Sequence, residues 1–197
     1  MAHSDIDELI RLFSKLPGLG PRSARRVVLH LIRQKQGLMA PLAAVMERAL
    51  TSIRSCSVCG NLDTHDPCAI CSDGRRDPSV ICIVEELADL WAIERCNFYK
   101  GHYHVLGGTL SAMDDRGPSQ LNIEPLVARA RSEQVKEIIL ATNATLEGQT
   151  TAHYLTTRLE DCNVSISRLA QGIPMGGELD YLDDGTLGAA LKARTAF

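Results

Sequence analysis

Cys56-Ser57-Val58-Cys59 and, eight residues later, Cys68-Ala69-Ile70-Cys71 place two Cys-x-x-Cys pairs in one short stretch. Pairs at this spacing close a small loop around a tetrahedral zinc ion. The apolar residues between them, Val58, Leu62, Ala69 and Ile70, are too few to fold the segment by burial alone. A bound ion must then supply the folding energy, and four thiolates leave no open position for a reactive water. The spacing therefore predicts one structural zinc held by Cys56, Cys59, Cys68 and Cys71. His65 lies inside the loop and is expected to be solvated, because the thiolates already complete the shell.

Two disulfides are the other use of such cysteines, and they require an oxidising compartment. The start Met1-Ala2-His3-Ser4-Asp5 has neither a basic stretch nor an apolar core of a leader, and no apolar run approaches the ~20 residues of a membrane span. The chain is thus expected in the cytoplasm, with reduced thiols and no membrane partner. Cys82, Cys96 and Cys162 lack paired spacing, and Cys82 sits in the run Val80-Ile81-Cys82-Ile83-Val84, which reads as core.

The net charge of −3 becomes informative when divided along the chain. Residues 1–54 carry nine Lys/Arg against four Asp/Glu, residues 55–78 two against four, and residues 79–197 ten against sixteen. A basic front on an acidic body directs any polyanion to the N-terminal part. Four parts are expected: a helical DNA-binding module over 1–54, a zinc knuckle over 55–78, an α/β domain over 79–174, and a C-terminal tail with a helix over 175–197.

Ser4 is placed to cap a helix carrying Ile6, Leu9, Ile10, Leu12 and Phe13. Leu16-Pro17-Gly18-Leu19-Gly20-Pro21 ends it, and Pro21 suits the first turn of a second helix. In that helix Ala24, Val27, Val28, Leu31 and Ile32 share an apolar stripe, while Arg22, Arg25, Arg26 and Arg33 fall largely elsewhere. The unit resembles the helix-hairpin-helix element that grips nucleic-acid backbone without reading sequence. Gly18 and Gly20 would let the hairpin approach a phosphate, the next helix start offers unpaired N–H groups, and Arg22 and Arg25 add charge. The plainer alternative is a tight turn between core helices with solvated arginines. After a Gly37 break, Leu42, Val45, Met46, Ala49, Leu50 and Ile53 predict a third helix whose methionines fill core. The turn Asp73 to Pro78, with Arg75 and Arg76, reads as solvated.

Beyond Ser79, strands at Val80–Val84, Tyr103–Leu106, Glu137–Thr142 and Val164–Leu169 are expected to alternate with helices near 87–95, 124–133 and 150–161. Such alternation predicts a largely parallel sheet covered on both faces, with functional groups at the strands' carboxyl ends. Glu85-Glu86 ends the first strand and Asn143-Ala144-Thr145-Leu146-Glu147-Gly148 follows the third. This order resembles a Toprim domain, whose catalytic members hold magnesium with an acid after the first strand and an Asp-x-Asp after a later one. The Asp-x-Asp is missing here; that spacing occurs only at Asp5-Ile6-Asp7, in the helical module. Trp91, Phe98 and Tyr154 are too few and scattered for base stacking, so a backbone grip is expected.

Hairpin, four-cysteine knuckle, the segments Gly101 to Gly108 and Ala141 to Gly148, and Gly172-Ile173-Pro174-Met175-Gly176-Gly177-Glu178-Leu179-Asp180-Tyr181 together resemble the RecR family of bacterial recombination mediators. The resemblance covers essentially the whole chain, with Ala144 and Arg22 standing where the family usually has proline and lysine. It implies a non-enzymatic, nucleoid-associated DNA-binding protein of mixed α/β class. It further implies a ring-like homo-oligomer of two to four chains, acting with RecO and RecF to load RecA on gapped DNA coated with single-strand-binding protein. In that reading Glu85 and Glu147 meet RecO, and the acidic pocket holds magnesium weakly if at all. Glu178 to Tyr181 resembles the family's Walker-B-like tail, but the chain has no phosphate-cradling loop for ATP. Two alternatives remain open: a magnesium-dependent nuclease or primase using Glu85, Glu86 and Glu147, and a scaffold that never touches DNA.

Overall fold

The computed structural model describes residues 4–170, 172–174, 176 and 178–193. The chain divides after Ile53 into two compact units. In the first, α1 (Asp5–Phe13) is capped by Ser4, whose Oγ accepts from the Ile6 amide at 3.2 Å. A tight hairpin leads to α2 (Pro21–Arg33), which buries Ala24, Val28 and Leu31. Helix α3 spans Ala40–Ser52. The expected Gly37 break is absent, since Lys35–Met39 winds as one π-helical turn in which the Leu38 and Met39 amides both reach the Gln34 carbonyl. Nor do the methionines fill core: α3 has no buried residue, and Met46 and Leu50 are 59% and 86% exposed. Helical spacing predicted the apolar stripe of α3 but not what covers it.

The second unit begins with the antiparallel pair β1 (Arg54–Ser55) and β2 (Leu62–Asp63) and the short helix α4 (Ala69–Ser72). Then follow β3 (Asp77–Val84), α5 (Leu87–Cys96), β4 (Gly101–Val105), α6 (Ile123–Ala130), β5 (Glu137–Ala141), α7 (Leu146–Arg158), β6 (Ser165–Arg168) and α8 (Asp184–Lys192). The four long-range strands form one parallel sheet in the order β4-β3-β5-β6. Alternation sorts its side chains. Ile81, Ile83, Ile138 and Leu140 face α6 and α7 through Leu126, Val127, Leu155 and Leu159. Cys82, Val84, Tyr103 and Ala141 face the Leu90 side of α5, so Cys82 is core as expected. Met175 and Gly177 of the tail segment lie outside the described residues.

Three expectations shift. The helix predicted to start near Thr150 begins at Leu146, because Thr145 Oγ1 accepts from the Gly148 amide at 3.1 Å and caps it. The first strand starts at Asp77, whose amide meets the Lys100 carbonyl at 2.9 Å. Arg76 is not solvated either: its buried guanidinium pairs with Glu94 on α5 and donates to the Gly101 carbonyl at 3.1 Å. Burial works against an ionised Glu94, yet Arg76 outweighs it and holds the carboxyl below its ordinary pKa. The pair's stabilisation is complete above the unfolded-state value near 4.3 and is lost as pH falls through the lower folded value. Glu94→Ala strands the Arg76 charge, and a loss of about 2–3 kcal/mol is expected in urea unfolding, modest for a buried pair because Glu94 keeps some solvent contact. A change below about 0.5 kcal/mol, the surface norm, would contradict this.

Candidate metal centre and nucleic-acid interface

The four Sγ atoms of Cys56, Cys59, Cys68 and Cys71 lie within 4.8 Å of one another, with Cys59 and Cys68 sulfurs 3.6 Å apart. A zinc tetrahedron with ~2.3 Å bonds has an edge of ~3.8 Å, so the four sulfurs fit one. Local structure sets them there. The Cys56 amide donates to the Asn61 carbonyl at 2.6 Å, and the Gly60 amide returns to the Cys56 carbonyl at 3.0 Å. Gly60 turns at φ +78°, where an added Cβ would stand 3.2 Å from the Val105 carbonyl. Two further amides aim at sulfur, Asn61 to Cys59 at 3.4 Å and Cys68 to Cys56 at 3.3 Å, which favours thiolates. Asp66 takes the Ser57 amide at 2.8 Å, and Asp63 takes the Ala69 amide at 2.8 Å, fixing both arms of the loop. His65 is exposed and meets the Thr64 hydroxyl, apart from the sulfurs.

Acting through its own S–H, Cys71 pulls the Cys59 thiol down to about 6. The same contact raises Cys71, and burial raises Cys68. Four thiols so close cannot all ionise without a cation, which is the chemistry of a site made for a thiophilic dication. The Cys59 carbonyl accepts from the Val105 amide at 2.8 Å, fastening the knuckle to the end of β4.

In the first unit, Gly18 turns at φ +78°, and an added Cβ at Gly18 or Gly20 would meet nothing within 4 Å. The hairpin backbone is therefore open to close approach. Gly20 caps α2 without a side chain, its carbonyl taking the Ala24 amide at 2.9 Å. The Arg22 and Ser23 amides have no acceptor among the described residues. Arg22 and Arg25 are exposed and make no ion pair among the described residues. Gly18, Gly20, Arg22 and Arg25 thus fall together in the hairpin and the first two turns of α2. The sequence reading passed over a hollow of about 740 Å³ beside it, lined by Leu19, Ser23, Arg26, His30 and Arg33 among others. The signal was present, since the three basic residues recur at helical spacing.

The acidic residues divide. Glu85 is 5% exposed, and its carboxylate accepts from the Asn143 amide at 2.8 Å and the Asn143 side-chain amide at 2.5 Å. Glu85, the residue expected to meet a partner protein, thus has its oxygens engaged inside the fold. Glu86 is exposed and serves the capping box of α5 with Asp89. Glu147 is partly exposed in the first turn of α7 and lines a hollow with Leu110, Met113 and Arg116. Asn143 and Thr145 occupy the loop after β5 without a carboxylate between them. Among the described residues, the cysteines form the one cluster of three or more His, Cys, Asp or Glu able to hold an ion.

Successive stretches of the chain match four family models. Residues 6–50 match the family described as RecR, helix-hairpin-helix, and residues 53–73 match the RecR zinc finger domain built on four cysteines. Residues 79–170 match the Toprim domain and residues 172–195 the RecR C-terminal family. The recombination protein RecR of Parvibaculum lavamentivorans is 61% identical over 98% of this chain and 97% of its own length. That of Paramagnetospirillum magneticum is 60% identical over the whole of both chains, and that of Mesorhizobium japonicum 59% identical over 100% of this chain and 98% of its own. With a hairpin module, a four-cysteine centre and a Toprim sheet in that order, and full-length relatives at this identity, the chain belongs to the RecR family of recombination proteins.

Proposed function

We propose that this chain is a non-catalytic, DNA-binding recombination mediator that holds the sugar-phosphate backbone with its hairpin. One observation carries the reading: the hairpin and the first turns of α2 join open glycine backbone, Arg22 and Ser23 amides without an acceptor among the described residues, and exposed Arg22 and Arg25 side chains. Amides at a helix start and guanidinium groups both suit phosphate, and neither reads a base. The four cysteines hold a structural zinc that supplies folding energy to the knuckle and no chemistry to a substrate.

The finer assignment follows the family resemblance: a ring-like homo-oligomer acting with RecO and RecF in loading RecA. Uncovered apolar side chains on α3 support assembly, and the accessible Glu147 remains the candidate contact for RecO. The parts proposed are the hairpin module over 1–54, the knuckle over 55–78, the Toprim domain over 79–174 and the tail over 175–197.

Against phosphoryl chemistry stands the state of Glu85. Its carboxylate already accepts two N–H groups from Asn143, a neutral residue in the loop that would have to supply magnesium ligands. Labelled DNA incubated with the purified chain and magnesium is expected to stay intact. Cleavage that Glu147→Gln abolishes would favour the nuclease alternative.

A further inference from the structure

Arg129 lies in the last turn of α6, partly buried. Its Nη1 donates to the Tyr103 carbonyl at 2.8 Å and to Nδ1 of His104 at 3.1 Å. His104 is buried, and its Nε2 is 2.7 Å from the Asn122 carbonyl. An imidazole between a carbonyl and a guanidinium has one proton arrangement: N–H on Nε2 and a lone pair on Nδ1. Burial agrees, holding His104 down to about 4, so the ring is neutral. Arg129 therefore leans on two neutral acceptors and has no carboxylate partner among the described residues. A guanidinium drawn out of water in this way requires an anion.

The four-cysteine centre adjoins the same strand. The strand that holds Arg129 at Tyr103 and His104 receives the knuckle one residue later, where the Val105 amide meets the Cys59 carbonyl. Ile70, between Cys68 and Cys71 of the centre, packs into the same cluster as Tyr103 and Val105. While burial disfavours the charge of Arg129, the thiolates of Cys71, Cys59 and Cys56 support it. Four thiolates around one dication leave a net charge of −2 that the knuckle's own acids, Asp63 and Asp66, do nothing to offset.

We propose that Arg129 is the counter-ion of the tetrathiolate metal centre, a positioning residue through which β4 and α6 stabilise the charge of the bound ion. Groups just outside a metal's ligand shell tune the donor strength of the ligands. A cation beside sulfur lowers the energy of its lone pairs, making the thiolates less nucleophilic and the charged complex more stable. The proposal uses the zinc reading and is independent of DNA binding.

The test uses the full chain loaded with zinc or cobalt(II). Arg129→Gln is expected to weaken zinc about 10–100-fold in competition with a chromophoric chelator. It should also move the sulfur-to-cobalt charge-transfer band to longer wavelength, and Arg129→Lys should restore most of both. An unchanged affinity and band in Arg129→Gln, or equal losses with Gln and Lys, would overturn the proposal and leave Arg129 a packing residue. Should the Gln variant not fold, Lys alone decides. A wild-type band with affinity within about threefold sustains the charge role, and a displaced band with a loss of about tenfold or more refutes it. A chain that takes up no metal at all defeats the zinc reading instead, and the cobalt spectrum separates the two failures.

Discussion

Arg22→Glu combined with Arg25→Glu is expected to lower affinity for DNA of any sequence by about 100-fold or more near 0.1 M salt, since two phosphate contacts become two repulsions. Little else in the molecule should change. Both side chains are exposed and make no ion pair among the described residues, so no described contact is lost. A carboxylate in the first turn of α2 also suits the positive end of the helix, and stability should stay within about 0.5 kcal/mol of wild type. Gel retention on two unrelated duplexes, with urea unfolding as control, measures both. A folded double variant that retains DNA as the parent does would remove the hairpin from the interface.

Cys68→Ser is expected to reduce zinc from one ion per chain to almost none. A hydroxyl is a poor replacement for a thiolate, and the binding free energy at stake is of order 10–16 kcal/mol, all of it available to folding. The knuckle would open while most of the sheet persists, because the cluster of Ile81, Ile83, Leu126, Ile138 and Leu155 contains no cysteine of the centre. Hydrogen exchange should show that pattern, with protection lost at the Asn61 and Val105 amides, whose acceptors belong to the knuckle, and retained along β3 and β5. Elemental analysis provides the direct check. A variant carrying a full complement of zinc would contradict the four-thiolate site.

What could be read before the fold was known follows from range. The cysteine spacing, the hairpin of Leu16 to Pro21 and the alternation of strands and helices are local signals, set by a few consecutive residues and by periodicity. The engagement of Glu85 by Asn143 joins residues 58 apart, and Arg76 meets Glu94 across 18. No period encodes such pairs, so Glu85 read as an accessible carboxylate and Arg76 as a solvated cation. The early start of α7 was missed for a different reason. Thr145-Leu146-Glu147-Gly148 resembles a loop by composition, and only the Thr145 cap reveals a helix. On α3 the pattern showed an apolar stripe correctly, but a stripe does not say whether its own unit or another surface covers it.

The slope of log affinity against log salt, measured for the wild type on two duplexes of unrelated sequence, bears most directly on a backbone grip by the hairpin. Equal, steep slopes on both sequences are expected, each becoming shallower by about 2 in the Arg22→Glu, Arg25→Glu variant as two phosphate contacts disappear. A flat slope in the wild type, or a slope the double variant leaves unchanged, would show that these arginines hold no phosphate.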